Sequence, residues 1–174
     1  MLLFSADERI WQTQVMPTFR KLARSDVIMI EAEPKYYGYM AQTVDTVSMR
    51  PLSGEEARLF DISHDCFGML LSAMRPGVSY ADLVVRWVAF AEKCNALAGR
   101  TMGHGLGLGQ DGPLTTPGGD AGGLMVEEGD CLVLKPWISD RGDTMSVRVG
   151  ATVVVGQHGA RRLGLCPLRP LVVD

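Results

Sequence analysis

Histidine is scarce in this chain, with three residues among 174, and the four cysteines are scattered singly along it. No two cysteines have the Cys-x-x-Cys spacing, so neither a zinc site nor a thiol redox motif is indicated. Cys66, Cys94, Cys131 and Cys166 are expected to be reduced and buried. Positive charge is also short. Seventeen lysines and arginines face twenty acidic residues, and the net charge of −3 excludes a nucleic-acid binder that works through a basic surface. No apolar run is long enough to cross a bilayer. The start, Met1-Leu2-Leu3-Phe4, runs at once into Asp7, Glu8 and Arg9, without the basic lead and long apolar core of a signal peptide. A cytoplasmic protein with no membrane partner is expected. There is no internal repeat and no low-complexity tract. Arg141-Gly142-Asp143 spells an adhesion tripeptide, but without a secretory signal it reads as a turn.

Apolar residues make up 47% of the chain, and its length suits one domain over residues 1–174. Twenty glycines are present, and five of them fall in Gly103-His104-Gly105-Leu106-Gly107-Leu108-Gly109-Gln110-Asp111-Gly112-Pro113. Glycine lets a backbone turn tightly or approach another group closely. A histidine held in such a segment is placed for chemistry more often than one on a polar helix face. His64, beside Asp65 within a helical pattern, and His158, in a turn, read as structural.

Leu2–Phe4 is a candidate short strand, and 17–23 one or two helical turns. Val27-Ile28-Met29-Ile30 is an apolar run with β-branched members, the pattern of a buried strand ending at Glu31. Tyr36 to Met49 reads as a second strand, paired with the first as a hairpin across Pro34-Lys35. A carboxylate where a buried strand meets a hairpin must be paired, protonated or facing a cleft. Ser53-Gly54-Glu55-Glu56 is a capping box, and apolar residues at helical spacing behind it place a helix at 54–74. Ser79-Tyr80-Ala81-Asp82 opens a second helix that runs to about residue 97. Residues 117–123 form a loop, and 131–136 and 145–155 are further strands. Two strands, two long helices and several more strands predict an α+β fold, with helices on one face of a largely antiparallel sheet.

Several ordered segments resemble the catalytic domain of the creatinase / aminopeptidase P / methionine aminopeptidase family, the pita-bread fold. They are Ser25 to Glu31, Tyr37-Gly38-Tyr39, Arg75-Pro76-Gly77-Val78-Ser79, Gly103 to Leu108, Glu127-Glu128-Gly129-Asp130, Ser146-Val147-Arg148-Val149-Gly150 and Gly159 to Leu163. The resemblance runs from about residue 4 to the C-terminus. Catalytic members hold two divalent metals with two aspartates, a histidine and two glutamates. Carried onto this chain, those positions are Glu31, Gln42, His104, Lys135 before Pro136, and Gly150. Two of the five retain a ligating side chain and one has become a cation, so the resemblance implies neither a dinuclear metal site nor another cofactor.

Creatinase, within that family, cleaves a carbon–nitrogen bond without metal. The resemblance therefore allows metal-free hydrolysis of a small molecule or short peptide. His104 is then the general acid/base, and Glu31 orients it or a water. Gln42, Asp111, Lys135 and Tyr39 line the substrate pocket, with Lys135 binding a substrate carboxylate or pairing with Glu31. The alternative is an inactive domain, a binding or interaction module, in which Glu31 and Lys135 form a buried ion pair. Family catalytic domains begin with helices and a strand that would precede Met1. Either this is the C-terminal part of a longer protein, or another chain supplies the missing surface; a homo-oligomer, or a partner chain that supplies this N-terminal part, is expected.

Overall fold

The computed structural model describes residues 2–6, 19–52, 54–110, 112–113, 115–118, 121 and 123–173. In chain order the elements are β1 (Leu2–Ala6), β2 (Val27–Ala32), β3 (Lys35–Tyr36), β4 (Tyr39–Met40), β5 (Thr43–Ser48), α1 (Gly54–Ala73), α2 (Tyr80–Lys93), β6 (Leu97–Ala98), β7 (Gly103–Gly105), β8 (Cys131–Leu134), β9 (Ile138–Ser139), β10 (Gly150–Gly156), β11 (Gly159–Arg162) and β12 (Leu171–Val172). The main sheet is curled and runs in the order β1-β2-β5-β10-β8-β7. Its pairings are antiparallel, except that β12 lies parallel to β5. The α+β architecture expected from the sequence is present.

Alternation along the strands decides which side chains meet the helices. Leu132, Leu134, Ala151, Val153 and Val155 point to the face covered by α1 and α2. They join Leu59, Phe60, Cys66, Phe67, Leu70, Leu83 and Trp87 in one hydrophobic core. Burying a side chain of this kind contributes about 1.5–3 kcal/mol. The opposite face carries the complementary set: Met29, Glu31, Val44, Gly150, Val133 and His104. The register sets Glu31 opposite Val44, Val44 opposite Gly150, and His104 opposite Val133. The same strands that build the core on one side therefore gather the polar residues on the other.

The helices follow their capping signals. Ser79 accepts a hydrogen bond from Asp82 N at 3.0 Å and starts α2. Ser53 of the first capping box lies outside the described residues, while Glu56 accepts two 2.7 Å bonds from Arg50. α2 stops at Lys93 rather than near 97, because Cys94 is its C-cap and Asn95 takes a left-handed φ of 54°. The stretch 36–49 is not one strand. Tyr37 and Gly38, at φ 49° and 89°, fold its first half into the β3–β4 hairpin, and only 43–48 pairs with β2. Residues 145–149 alternate and are largely buried, yet regular pairing of that stretch begins at Gly150. The described part of 17–23 is not helical. Of the cysteines, Cys66 is buried, Cys94 and Cys131 are half-buried, and Cys166 is exposed, which corrects the expectation of four buried thiols. His64 and His158 are both exposed, as structural surface histidines should be. No helix among the described residues is long and apolar enough to cross a membrane.

Candidate functional site

The polar face is centred on Glu31, which is 6% exposed near the end of β2. A carboxylate this deep requires compensation, and three side chains supply it. Lys135 Nζ donates to Oε2 at 3.2 Å, Gln42 Nε2 donates to the same oxygen at 3.1 Å, and a guanidinium nitrogen of Arg148 stands 3.6 Å from Oε1. Each partner is fixed by its own element. Lys135 follows β8, where its amide donates to Met102 O. Gln42 precedes β5 and is fully buried. Its amide donates to Thr152 Oγ1 at 2.8 Å, and that hydroxyl donates in turn to Gln42 O at 2.9 Å. Arg148 precedes β10 and is 1% exposed, with its guanidinium 3.5 Å from the Trp137 ring centroid. A guanidinium is planar and weakly hydrated, so it tolerates such a buried stacked position better than an ammonium would.

Burial pulls the Arg148 pKa down to about 10, against the raising effect of Glu31, so the group remains a cation at neutral pH. Burial also lowers the Lys135 pKa. Glu31 and Glu33 oppose that shift, and Arg148 adds to it. Lys135 and Arg148 thus face different oxygens of Glu31, and Glu33 adds negative charge on the Lys135 side.

His104 sits in β7, half-buried. Its Nδ1 lies 3.1 Å from Gly105 O. A carbonyl can only accept, so Nδ1 carries the proton and Nε2 keeps the lone pair in the neutral ring. Burial lowers the imidazole pKa; the Gly105 carbonyl opposes this, Lys135 adds to it, and Glu31 and Glu33 oppose it. Gly103, just before, permits the close strand approach: a β-carbon there would run into the backbone carbonyl of Val133. Here the glycine-rich segment has a physical reason.

The fold thus brings together Glu31, Gln42, Lys135 and His104. Lys135 takes the second of its two expected roles, the ion pair with Glu31. No hydrogen bond joins Glu31 to His104; the carboxylate oxygens face Lys135, Gln42 and Arg148 instead. Tyr39 stands apart, 65% exposed on the β3–β4 hairpin. That hairpin is tied to the glycine-rich segment by Met40 N donating to Gly107 O at 2.8 Å. Asp111 lies outside the described residues. Three participants had no role assigned from sequence. Arg148 was visible as the cation of the family-like segment Ser146 to Gly150, and Trp137 as the aromatic beside Pro136. Glu33 is 5% exposed and accepts from Gln110 at 2.7 Å; its signal was the Glu-x-Glu alternation that puts it on the same face as Glu31.

Comparison with known proteins agrees with this fold. Creatinase from Bacillus sp. (strain B-0618) is 26% identical over 143 residues, covering 82% of this chain and 33% of that protein. The X-Pro aminopeptidase of Thermotoga maritima MSB8 superposes with a TM-score of 0.86 at 22% identity, over 99% of this chain and 49% of its own. The methionine aminopeptidase of Rickettsia prowazekii gives 0.79 at 21% identity, over 92% and 72%. The chain therefore spans a third of the curated relative and about half of the aminopeptidase that it matches almost end to end. The description "Metallopeptidase family M24" matches residues 6–157. With the curled sheet, its two helices and the site on the opposite face, this establishes that the chain belongs to the M24 metallopeptidase family and has its pita-bread fold.

Proposed function

We propose that this chain is the catalytic part of a metal-independent hydrolase acting on a small carbon–nitrogen substrate. The observation that carries the reading is the state of His104. Its Nδ1 proton is donated to Gly105 O, and burial favours the neutral ring, so Nε2 is a base at neutral pH. Such a base takes a proton from a water attacking the substrate carbon and returns it to the departing nitrogen. Lys135, fixed beside Glu31, places positive charge on the same face, where negative charge develops on the attacked group.

The family name implies metal, and the donor set does not fit a metal pair. The five ligand positions carry Glu31, Gln42, His104, Lys135 and Gly150. Among the described residues no group of three or more His, Cys, Asp or Glu is arranged to hold a metal ion. No step of the mechanism is routed through one.

A second reading, a silent module that binds a peptide, metabolite or protein, draws support from the engagement of Glu31 by Lys135, Gln42 and Arg148. The two separate on a panel of small amides, guanidino compounds and proline dipeptides. A hydrolase turns over at least one, and His104→Ala lowers its kcat about 100- to 10,000-fold. Binding without turnover, or turnover unchanged in His104→Ala, would favour the module or remove His104 from the chemistry.

A further inference from the structure

We propose that the Lys135 ammonium is a resident cation standing in the place of the metal charge, and that it closes this face of the sheet to divalent ions. This deepens the metal-independent reading and rests on it. The argument begins with charge. The ligand set of the catalytic members contains four carboxylates, whose combined charge two divalent ions would neutralise. Here the same positions hold one carboxylate, one ammonium, a neutral amide, an imidazole whose Nδ1 is tied to the Gly105 carbonyl, and a glycine, so the carboxylate and the ammonium balance without any added ion.

Geometry makes the exchange a coupled one. A β-carbon at Gly150 would lie 2.6 Å from Lys135 Cβ and 3.0 Å from Leu134 O. A side chain at 150 would require the chain at 134–135 to shift, so Gly150 and the strand leading into Lys135 are packed as one unit. The lysine head then reaches Glu31 Oε2 at 3.2 Å, and Gln42 Nε2 takes the same oxygen. The other oxygen faces Arg148, held on Trp137. A divalent ion approaching Glu31 would meet an ammonium already seated there, in surroundings that screen the repulsion poorly.

The test reads occupancy rather than activity, so an empty substrate screen leaves it intact. The 174-residue chain is dialysed against Mn²⁺ and separately against Zn²⁺, and metal content and Tm are measured. In parallel, the Tm of Lys135→Ala and of Lys135→Met is followed with n-propylammonium, using n-propanol as the uncharged control. The wild type should take up well under one equivalent of metal, with no change in Tm. Both variants should melt about 10 °C lower, because one partner of a buried pair is gone. Propylammonium should restore Lys135→Ala saturably and leave Lys135→Met unchanged, since methionine fills the space. Uptake near one or two equivalents by the wild type overturns the proposal even if neither variant folds. So does a Lys135→Met protein as stable as the wild type, or a rescue that propanol reproduces.

Discussion

At the scale of the residue, His104 illustrates how a strand position sets chemistry. Its Nδ1 is tied to the carbonyl of its own neighbour, and the largest influence on the ring is burial. Its titration should therefore fall below the ordinary imidazole value near 6.5. A pKa below the unfolded value means that the unfolded chain binds more protons between the two. The contribution of His104 to stability is then fully present above about pH 6.5 and is lost as pH falls through the folded value. NMR titration of the three histidines, with His104 assigned by its loss in His104→Ala, measures this directly. A value at or above 6.5 would contradict the burial argument.

That residue was legible in the sequence because glycine on either side isolates it. Glu31 was legible as a carboxylate ending an apolar strand. Its partners were less so. Lys135 follows the apolar run of β8, and its pairing with Glu31, 104 residues away, was expected from the family resemblance, since nothing local in the chain points to that carboxylate. Arg148 and Trp137 come together only because the chain after β8 and the approach to β10 fold against each other. A stacking contact of that kind leaves no periodic trace in the chain.

Elements were easier to read where the signal is local. The Ser79 cap is one: its side chain accepts the Asp82 amide, one of the donors a helix start leaves without an intrahelical partner. Ser79→Ala should cost about 1 kcal/mol, read as a shift in denaturant midpoint with an unchanged m-value. No shift would mean that the β-bridge from Ser79 to Met125 holds this turn in place of the cap. Element ends and splits were harder. Aromatic and β-branched content makes 36–49 look like one strand, yet a positive φ at Tyr37 and Gly38 turns it back on itself. The same composition serves a two-residue hairpin strand and a six-residue sheet strand, and only tertiary pairing tells them apart. In 145–149 burial lies on both sides, but Ser146 makes an isolated β-bridge with Ser139 and Arg148 is engaged by Glu31, so regular pairing starts only at Gly150.

Over the whole molecule, the curled sheet separates two tasks. One face packs α1 and α2 into a continuous apolar core. The other gathers a compensated charge cluster around Glu31, with the strand of His104 separated from β5 by two strands, β10 and β8. Resemblance to the family was readable because its motifs are short and fall in chain order at the places the fold requires. The departures that the resemblance implies, and on which the proposed function rests, fall at Gln42, Lys135 and Gly150. What these substitutions do to one another was not readable, since the approach of Gly150 to the Lys135 stem belongs to the β8–β10 register and not to either segment alone. The chain covers about half of the aminopeptidase it superposes on, so its reaction is proposed from its own site and not taken from that protein.

The most direct test of the account is turnover after chelation. The protein is stripped with a strong chelator, its metal content verified, and the carbon–nitrogen panel assayed in metal-free buffer. The account predicts hydrolysis of at least one substrate at the rate of the untreated protein, with loss in His104→Ala. Activity that vanishes on stripping and returns with manganese, cobalt or zinc would contradict it, and would return the chain to the metal chemistry for which its family is named.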